Sequence, residues 1–525
     1  MNKSLLLALC VILTTSGCQS TPNRQPDDTL SPAQYSSLRA QVAAQIEAGN
    51  LDQAESLMGN VGQFQAEDFL LLADICDARG QHRCVADALI QASLLDGLGE
   101  ADNGDLHDRI WTALSRAHRG PDAFTHRYHL AWWQLQQEIR AASSLTAQIK
   151  VWQNWKQKNP SHPATIRPPQ GLLQLDNYSA PDIAVLLPLS GRLATAGRAI
   201  QNAFAAGYLA ENFAATTVVR FYDTEAQPLG QLWEQALNDG ADVVVGPLLK
   251  SRAEDFARLT ANSPIPRLTL NYLETDPVDL DTSDATPLFQ LGIAIEDEAA
   301  SLAQYVLLQG LERVAIVHGK ESWALRAADA FSANWAYPLT TAHFEQDKDL
   351  TRAVGEAMQV ASSETRKTEI ANIIGQQVEF LPRARQDLEA IIALTNNVES
   401  RALVPALRFH FGDHLPVFAT SQAARRGNLD PMEGYYLTEM PLFAEADKHR
   451  DLTAAFDLAG NPLAELYALG YDAYRVATWL PALSPHSSAA FAGASGYLWL
   501  DAHGVFRREL NLTQVGAGGA LRLVE

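Results

Sequence analysis

Ile183-Ala184-Val185-Leu186-Leu187-Pro188-Leu189-Ser190-Gly191, followed by Ala196-Gly197-Arg198-Ala199-Ile200-Gln201-Asn202-Ala203-Phe204-Ala205-Ala206-Gly207, decides how the larger part of this chain folds. Five consecutive apolar residues with no polar alternation describe a strand buried on both faces, the habit of a parallel sheet covered by helices. Pro188 and the Ser190-Gly191 pair end the strand, and apolar residues then recur at helical steps. Strand, turn and helix in that order open a βαβ unit.

The alternation continues toward the C-terminus. Val218 to Tyr222 and Val243 to Gly246 read as strands, Leu193 to Phe213 and Leu229 to Asn238 as the helices before them. Val314 to Val317, Ala390 to Leu394 and Val417 to Ala419 extend the pattern. After Tyr435 come a further strand, a helix near Ala464 to Leu480 and a terminal pair of strands. Residues 181–525 are too many for one sheet, so two α/β lobes with a cleft between them are expected. The first lobe is assigned to about 181–292 and 434–485 and the second to about 293–433 and 486–525, with three passages of the chain between them.

Toward the N-terminus the pattern is helical from Ser31 to about Asn159. Ser31-Pro32 is a cap followed by a first-turn proline, and the spacing predicts helices at 31–48, 51–58, 65–79, 82–95, 104–118, 122–139 and 142–158. Gly49-Asn50 and Gly80-Gln81 each stop one helix before the next, a loose tetratricopeptide-like recurrence. Trp111, Trp132, Trp133, Trp152 and Trp155 offer either a binding platform or packing between stacked hairpins. Pro160, Pro163, Pro168 and Pro169 mark 160–180 as a Pro-rich linker.

At the start, Met1-Asn2-Lys3 gives a positive end and Leu5 to Leu13 an apolar run too short to span a bilayer. Thr15-Ser16-Gly17-Cys18 then reads as a lipoprotein cleavage and acylation site, although Thr15 stands where such sites most often carry Leu. Residues 1–17 are the signal peptide and Cys18 is the lipidation site; Gln19, not being Asp, implies sorting to the outer membrane. Residues 18–30 are a polar tether, about 40 Å at full stretch. Cys10 departs with the signal, which leaves Cys76 and Cys84 in an oxidising compartment. They are either bridged across the Gly80 turn or two buried thiols on facing helices.

With 47% apolar and 19% charged residues the chain is globular, and its net charge of −21 repels phosphate backbones, so nucleic acid is not an expected partner. Two cysteines with no ligand cluster make a poor metal site, and no metal or cofactor is expected.

Quoted stretches now become specific. The opening strand, turn and helix resemble those of type I periplasmic binding proteins. Val244-Val245-Gly246-Pro247-Leu248-Leu249-Lys250, Phe221-Tyr222-Asp223-Thr224, Phe380-Leu381-Pro382-Arg383-Ala384-Arg385-Gln386-Asp387 and Ala419-Thr420-Ser421 sharpen the likeness. So do Gly434-Tyr435-Tyr436 with Glu439-Met440-Pro441, Tyr467 to Tyr474, and Gly496-Tyr497-Leu498 with Asp501, Gly504 and Arg507. In that order they resemble the penicillin-binding-protein activator lipoproteins of the outer membrane, the LpoA family. That resemblance implies a TPR-like helical array followed by a two-lobed, type I periplasmic-binding-protein-like α/β domain. It also implies a non-enzymatic regulator that stimulates the transpeptidase of a bifunctional class A penicillin-binding protein, with peptidoglycan as a further contact.

Ser190 and Thr195 lie between a strand end and a helix start, where amides and the helix dipole hold an anion such as an amino-acid carboxylate, or where the two side chains merely cap the helix. Asp223, His318 and Ser421 fall at or just after strand ends, where lobes meet. No nucleophile elbow, metal-binding helix or phosphate loop accompanies them, so no catalytic residue is assigned. Arg383 and Arg385, with Arg366 and Lys367 nearby, form either a basic docking patch or a solvated face. The rival reading is a lipid-anchored periplasmic receptor for an amino acid or amide.

Overall fold

The computed structural model describes residues 32–95, 100–117, 126–142, 145–176, 180–210, 217–274, 286–376, 384–425, 427–458, 460–483 and 490–524. The signal segment 1–17, Cys18, the tether to Leu30 and Arg383 lie outside the described residues.

Helices Pro32–Glu47, Leu51–Met58, Ala66–Ala78, His82–Ser93, Glu100–Arg116, Arg127–Ala141 and Leu145–Lys158 build the N-terminal part. Two of its turns are copies of one another. Gly49 and Gly80 take φ of +74° and +66°, and the following amides, Asn50 and Gln81, each donate at 2.9 Å to a carbonyl five residues back, Gln45 and Cys76. A left-handed residue closes each helix, which glycine does without a Cβ penalty. A disulfide joins Cys76 and Cys84 across the second turn, with Cα atoms 5.8 Å apart. Trp111, Trp132, Trp133, Trp152 and Trp155 are all buried, so they pack hairpins together and offer no platform.

Residues 160–176 differ from the expected linker. They form short helices Pro163–Ile166 and Gln170–Leu173 and a 3₁₀ turn Gln174–Asp176, with Leu172 and Leu175 buried. Proline at the first helical position costs nothing, because its missing amide would have no partner there. His162 caps that helix, its Nδ1 accepting from the Ala164 amide at 3.1 Å, and Nε2–H donates to the Tyr128 carbonyl at 3.1 Å. Lys156 pairs with Asp176 at 2.6 Å. The segment therefore folds back onto the helices instead of spacing them from the head.

The first sheet contains β1 (Ile183–Leu187), β2 (Val219–Asp223), β3 (Val243–Val245), β4 (Arg267–Thr269), β5 (Leu288–Leu291), β11 (Ala490–Ala492), β12 (Tyr497–Leu500) and β13 (Val505–Glu509). Its order is β2-β1-β3-β4-β5-β13-β12-β11; β13 joins β5 in parallel and turns back into an antiparallel meander. The second sheet contains β6 (Val314–His318), β7 (Leu339–His343), β8 (Ala390–Leu394), β9 (Val417–Ala419), β10 (Tyr436–Glu439), β14 (Asn511–Val515) and β15 (Leu521–Leu523), in the order β7-β6-β8-β9-β10-β14-β15.

Two segments sit in the other lobe from the one expected. Tyr436–Glu439, assigned above to the first lobe, pairs Tyr436 with Phe418 and Leu437 with Ala419 in the second sheet. Residues 490–509, assigned to the second lobe, extend the first sheet, with Val505 opposite Gln290. Which sheet these strands join is decided by pairing between distant segments, which no local pattern reports. The chain passes between lobes after β5, after β10 and between β13 and β14, the last through Leu510 alone.

The helical part and the first lobe share one continuous core that runs from Ala73 and Leu89 through Trp132 and Trp155 to Ile183, Phe289 and Phe506. The Arg140 guanidinium lies 3.8 Å over the Tyr497 ring and pairs with Glu509 at 3.1 Å, while Arg116 lies 4.1 Å over Trp499. Two cations stacked on aromatic faces thus bolt the helices to the β12–β13 meander.

Candidate functional site

β1 ends where Gly197 allows its helix to touch the chain: a Cβ there would lie 2.0 Å from the Pro188 carbonyl oxygen. This close approach leaves the Leu189 and Ser190 amides pointing at one spot, the site proposed for an anion. Asp223, directly across from Leu187 in the sheet, already fills it. Its Oδ1 accepts from the amides of Leu189 at 2.9 Å, Ser190 at 3.3 Å and Glu225 at 3.0 Å. Burial pushes this carboxyl up, but the Ser190 hydroxyl and the three amides outweigh it and hold it below the usual carboxylate range. Ser190 and Thr195 are both exposed, and the Ser190 side chain makes no cap bond to the helix.

Ser421 belongs to the second lobe. It binds the buried carboxylate of Glu298 twice, through its amide and its hydroxyl at 3.0 Å each, and Thr438 adds a third donor at 3.2 Å. No hydrogen bond joins this group to Ser190 or Asp223 among the described residues, so the four candidate cleft residues form two separate sets. His318 is buried, with Nδ1 against the Gly319 carbonyl at 2.8 Å. Arg385 is not a free cation: Asp387 takes Nε and Nη2 at 2.7 and 2.6 Å, and Thr340 accepts from Nη1 at 2.8 Å. The Arg385 side chain in turn holds the Asp387 carboxyl at about 2.

Around Glu298 lies a group of buried charges that the sequence did not flag. Asp297 opens the helix Ile295–Leu308 of the second lobe and accepts from Tyr272 of the first lobe at 2.6 Å. Arg508, fully buried, lies 3.5 Å from it and spends its other donors on the carbonyls of Ser495 and Ala294, both at 3.0 Å. Burial raises Asp297 to about 6 against the pull of Arg508 and the Tyr272 hydroxyl. Glu439, at the end of β10, is pushed up to about 8, first by burial and then by Glu298 and Glu465, so it carries a proton at neutral pH. Arg425 pairs with Glu465 beside it. Leu510 is pinned to the same helix: its amide donates to the Ser301 hydroxyl at 3.2 Å and its carbonyl accepts from Tyr305 at 2.8 Å.

Two of the quoted motifs also resolve into structure. Asp472 accepts from the amides of Ala494 and Ser495, both at 2.7 Å, and ties the β11–β12 turn to the helix Ala464–Trp479. Asp501 closes the β12–β13 turn through the Val505 amide and Arg507, at 2.9 Å each. Asp297-Glu298 escaped the sequence reading because acids in the first turn of a helix are unremarkable there. Each carboxylate of the interlobe group is held by hydroxyl, amide or guanidinium donors, and among the described residues no group of three or more His, Cys, Asp or Glu side chains is placed to hold a metal ion. The arrangement fastens two lobes together; it presents no activated nucleophile.

Residues 13–518 match the family of LppC putative lipoproteins. Among curated proteins, the chain is 26% identical to the penicillin-binding protein activator LpoA of Vibrio antiquarius over 74% of this chain and 66% of that protein. It is 26% identical to the activator of the same name from Vibrio cholerae serotype O1 over 94% of this chain and 85% of that one. Among solved structures, full-length LpoA from Haemophilus influenzae superposes with a TM-score of 0.55 at 21% identity, covering 94% of this chain and 89% of that chain. A putative branched-chain amino acid ABC transporter protein from Rhodospirillum rubrum matches 66% of this chain and 100% of its own, at 17% identity and a TM-score of 0.50.

Proposed function

Because the chain belongs to the LppC putative lipoprotein family, we propose that it activates a bifunctional class A penicillin-binding protein and stimulates its transpeptidase in peptidoglycan synthesis. The observation that carries this reading is the extent of the likeness: the similarity to a named penicillin-binding protein activator runs through helical part and α/β head together, over 94% of the chain. Acylation at Cys18 anchors the amino terminus in the outer membrane, the helical part carries the head inward through the peptidoglycan, and the head meets the enzyme. Activation then means binding the cross-linking-competent conformation of the enzyme more tightly than the other, and the gain is limited to that difference in affinity.

The receptor reading is disfavoured by Asp223, which occupies the amides that a ligand carboxylate would need. The test is an assay of cross-linking by the host's own bifunctional penicillin-binding protein on lipid-linked precursor. A soluble form starting at Gln19 is expected to raise the cross-linked fraction of peptides, whereas unchanged cross-linking together with no measurable binding overturns the proposal.

A further inference from the structure

The helix Asn397–Phe409 of the second lobe is turned against the usual rule for surface helices. Its inner face buries Ser400, Leu403, Ala406 and Leu407, yet its outer face is also apolar: Val398 is 63% and Phe409 70% exposed. At 100° per residue Val398, Ala402, Pro405 and Phe409 fall on one stripe, about 16 Å long. Arg401 and Arg408, both exposed, line one flank of it. Among the described residues no ion pair joins either arginine to an acid, in a chain whose net charge is −21.

Two backbone penalties fall on this helix and its closing turn. Pro405 sits inside the helix and withholds an amide from the Arg401 carbonyl. Phe411 takes φ of +58° and closes the helix in the left-handed conformation that Gly49 and Gly80 use elsewhere, with the Gly412 amide on the Leu407 carbonyl at 2.8 Å. A phenylalanine there is strained, and 48% exposure gives it little burial in return. The N-terminus, by contrast, is held by a reciprocal box in which Asn396 and Glu399 each cap the other's amide at 2.8 and 3.0 Å. Exposed apolar surface, an interior proline and a left-handed aromatic on one well-capped helix are costs to the isolated fold that a bound partner offsets.

We propose that this face is where the partner protein docks, through an apolar segment flanked by carboxylates that meet Arg401 and Arg408. The assignment rests on the reading above that the partner is a bifunctional penicillin-binding protein, and that protein from the same host is the probe. With the full acyl-free chain immobilised and the enzyme titrated, Val398→Ser with Phe409→Ser should weaken binding tenfold or more. Arg401→Glu with Arg408→Glu should slow association and flatten its dependence on salt. Phe411→Gly is the decisive variant: relief of the left-handed strain should raise the melting temperature while binding weakens, a combination that a purely structural role does not give.

If the unaltered chain binds and all three variants bind equally well, the docking face is wrong and the functional reading survives. If the unaltered chain does not bind, that reading falls and this assignment with it. Should the chain alone form a dimer in sedimentation that the Val398→Ser, Phe409→Ser variant dissolves, the face is a contact between copies and the proposal is overturned.

Discussion

The first lobe is joined to its two neighbours in opposite ways. Toward the helices it shares an apolar core, with Arg116 and Arg140 stacked on Trp499 and Tyr497. Toward the second lobe it offers Tyr272 and Arg508 to Asp297, while Glu298 and Glu439 are buried nearby. An apolar contact tolerates small displacements; buried charges demand fixed geometry. Helices and first lobe therefore behave as one body, and the second lobe is the element whose attachment is conditional.

Breaking the polar joint should have the largest effect. Arg508→Met leaves the buried Asp297 without its nearer cation and two carbonyls without donors, and should cost about 3–5 kcal/mol, read by calorimetry as a lower melting temperature. The apolar joint should yield less. Arg140→Ala removes the stack on Tyr497 and the ion pair to Glu509, and about 2–3 kcal/mol is expected. If the two parts are one body, this variant should also split one calorimetric transition into two; a wild-type protein that already melts in two steps would break the comparison.

The smallest effects should sharpen it, because the two regions titrate with opposite sign. Glu439 has a folded value raised to about 8; the folded state holds the proton longer, so its contribution is complete below the ordinary glutamate value and is lost as pH rises toward 8. His162 has a folded value lowered by burial to about 4; the unfolded state takes the proton first, so its contribution is complete above the ordinary histidine value and is lost as pH falls toward 4. Each slope approaches about 1.4 kcal/mol per pH unit within its window. Urea denaturation across pH should show that Glu439→Gln removes a fall in stability between about 4.5 and 8, whereas His162→Gln removes a rise between about 4 and 6.5.

The parts that were legible in the sequence share a physical character. The helices up to Lys158 and the β1 strand, turn and helix follow from local periodicity and glycine stops, which neighbouring residues encode. The strands Arg267–Thr269 and Leu288–Leu291 went unread because Arg267, Thr269 and Gln290 break their apolar runs, whereas the equally short Val243–Val245 and Val417–Ala419 are apolar throughout. The lobe membership of Tyr436–Glu439 and of residues 490–509 depends on partners far along the chain. Of the candidate residues, Asp223 and Ser421 were found at strand ends, but their roles as acceptor for the Leu189–Ser190 amides and as donor to Glu298 depend on residues 33 to 34 and 123 positions away. Asp297 and Arg508 gave no signal, since each looks ordinary until the other is beside it.

Leu510 sets the kinematics of any opening between the lobes. A single residue joins β13 to β14, and both of its backbone groups are fastened to Ser301 and Tyr305. Such a point cannot translate; it can only act as a pivot. Displacement must then be smallest beside the axle and grow with radius, so the far edges at β2 and β7 sweep the widest arcs. A small rotation imposed on the rim by a partner would reach the axle as torque, with the lobe as its lever.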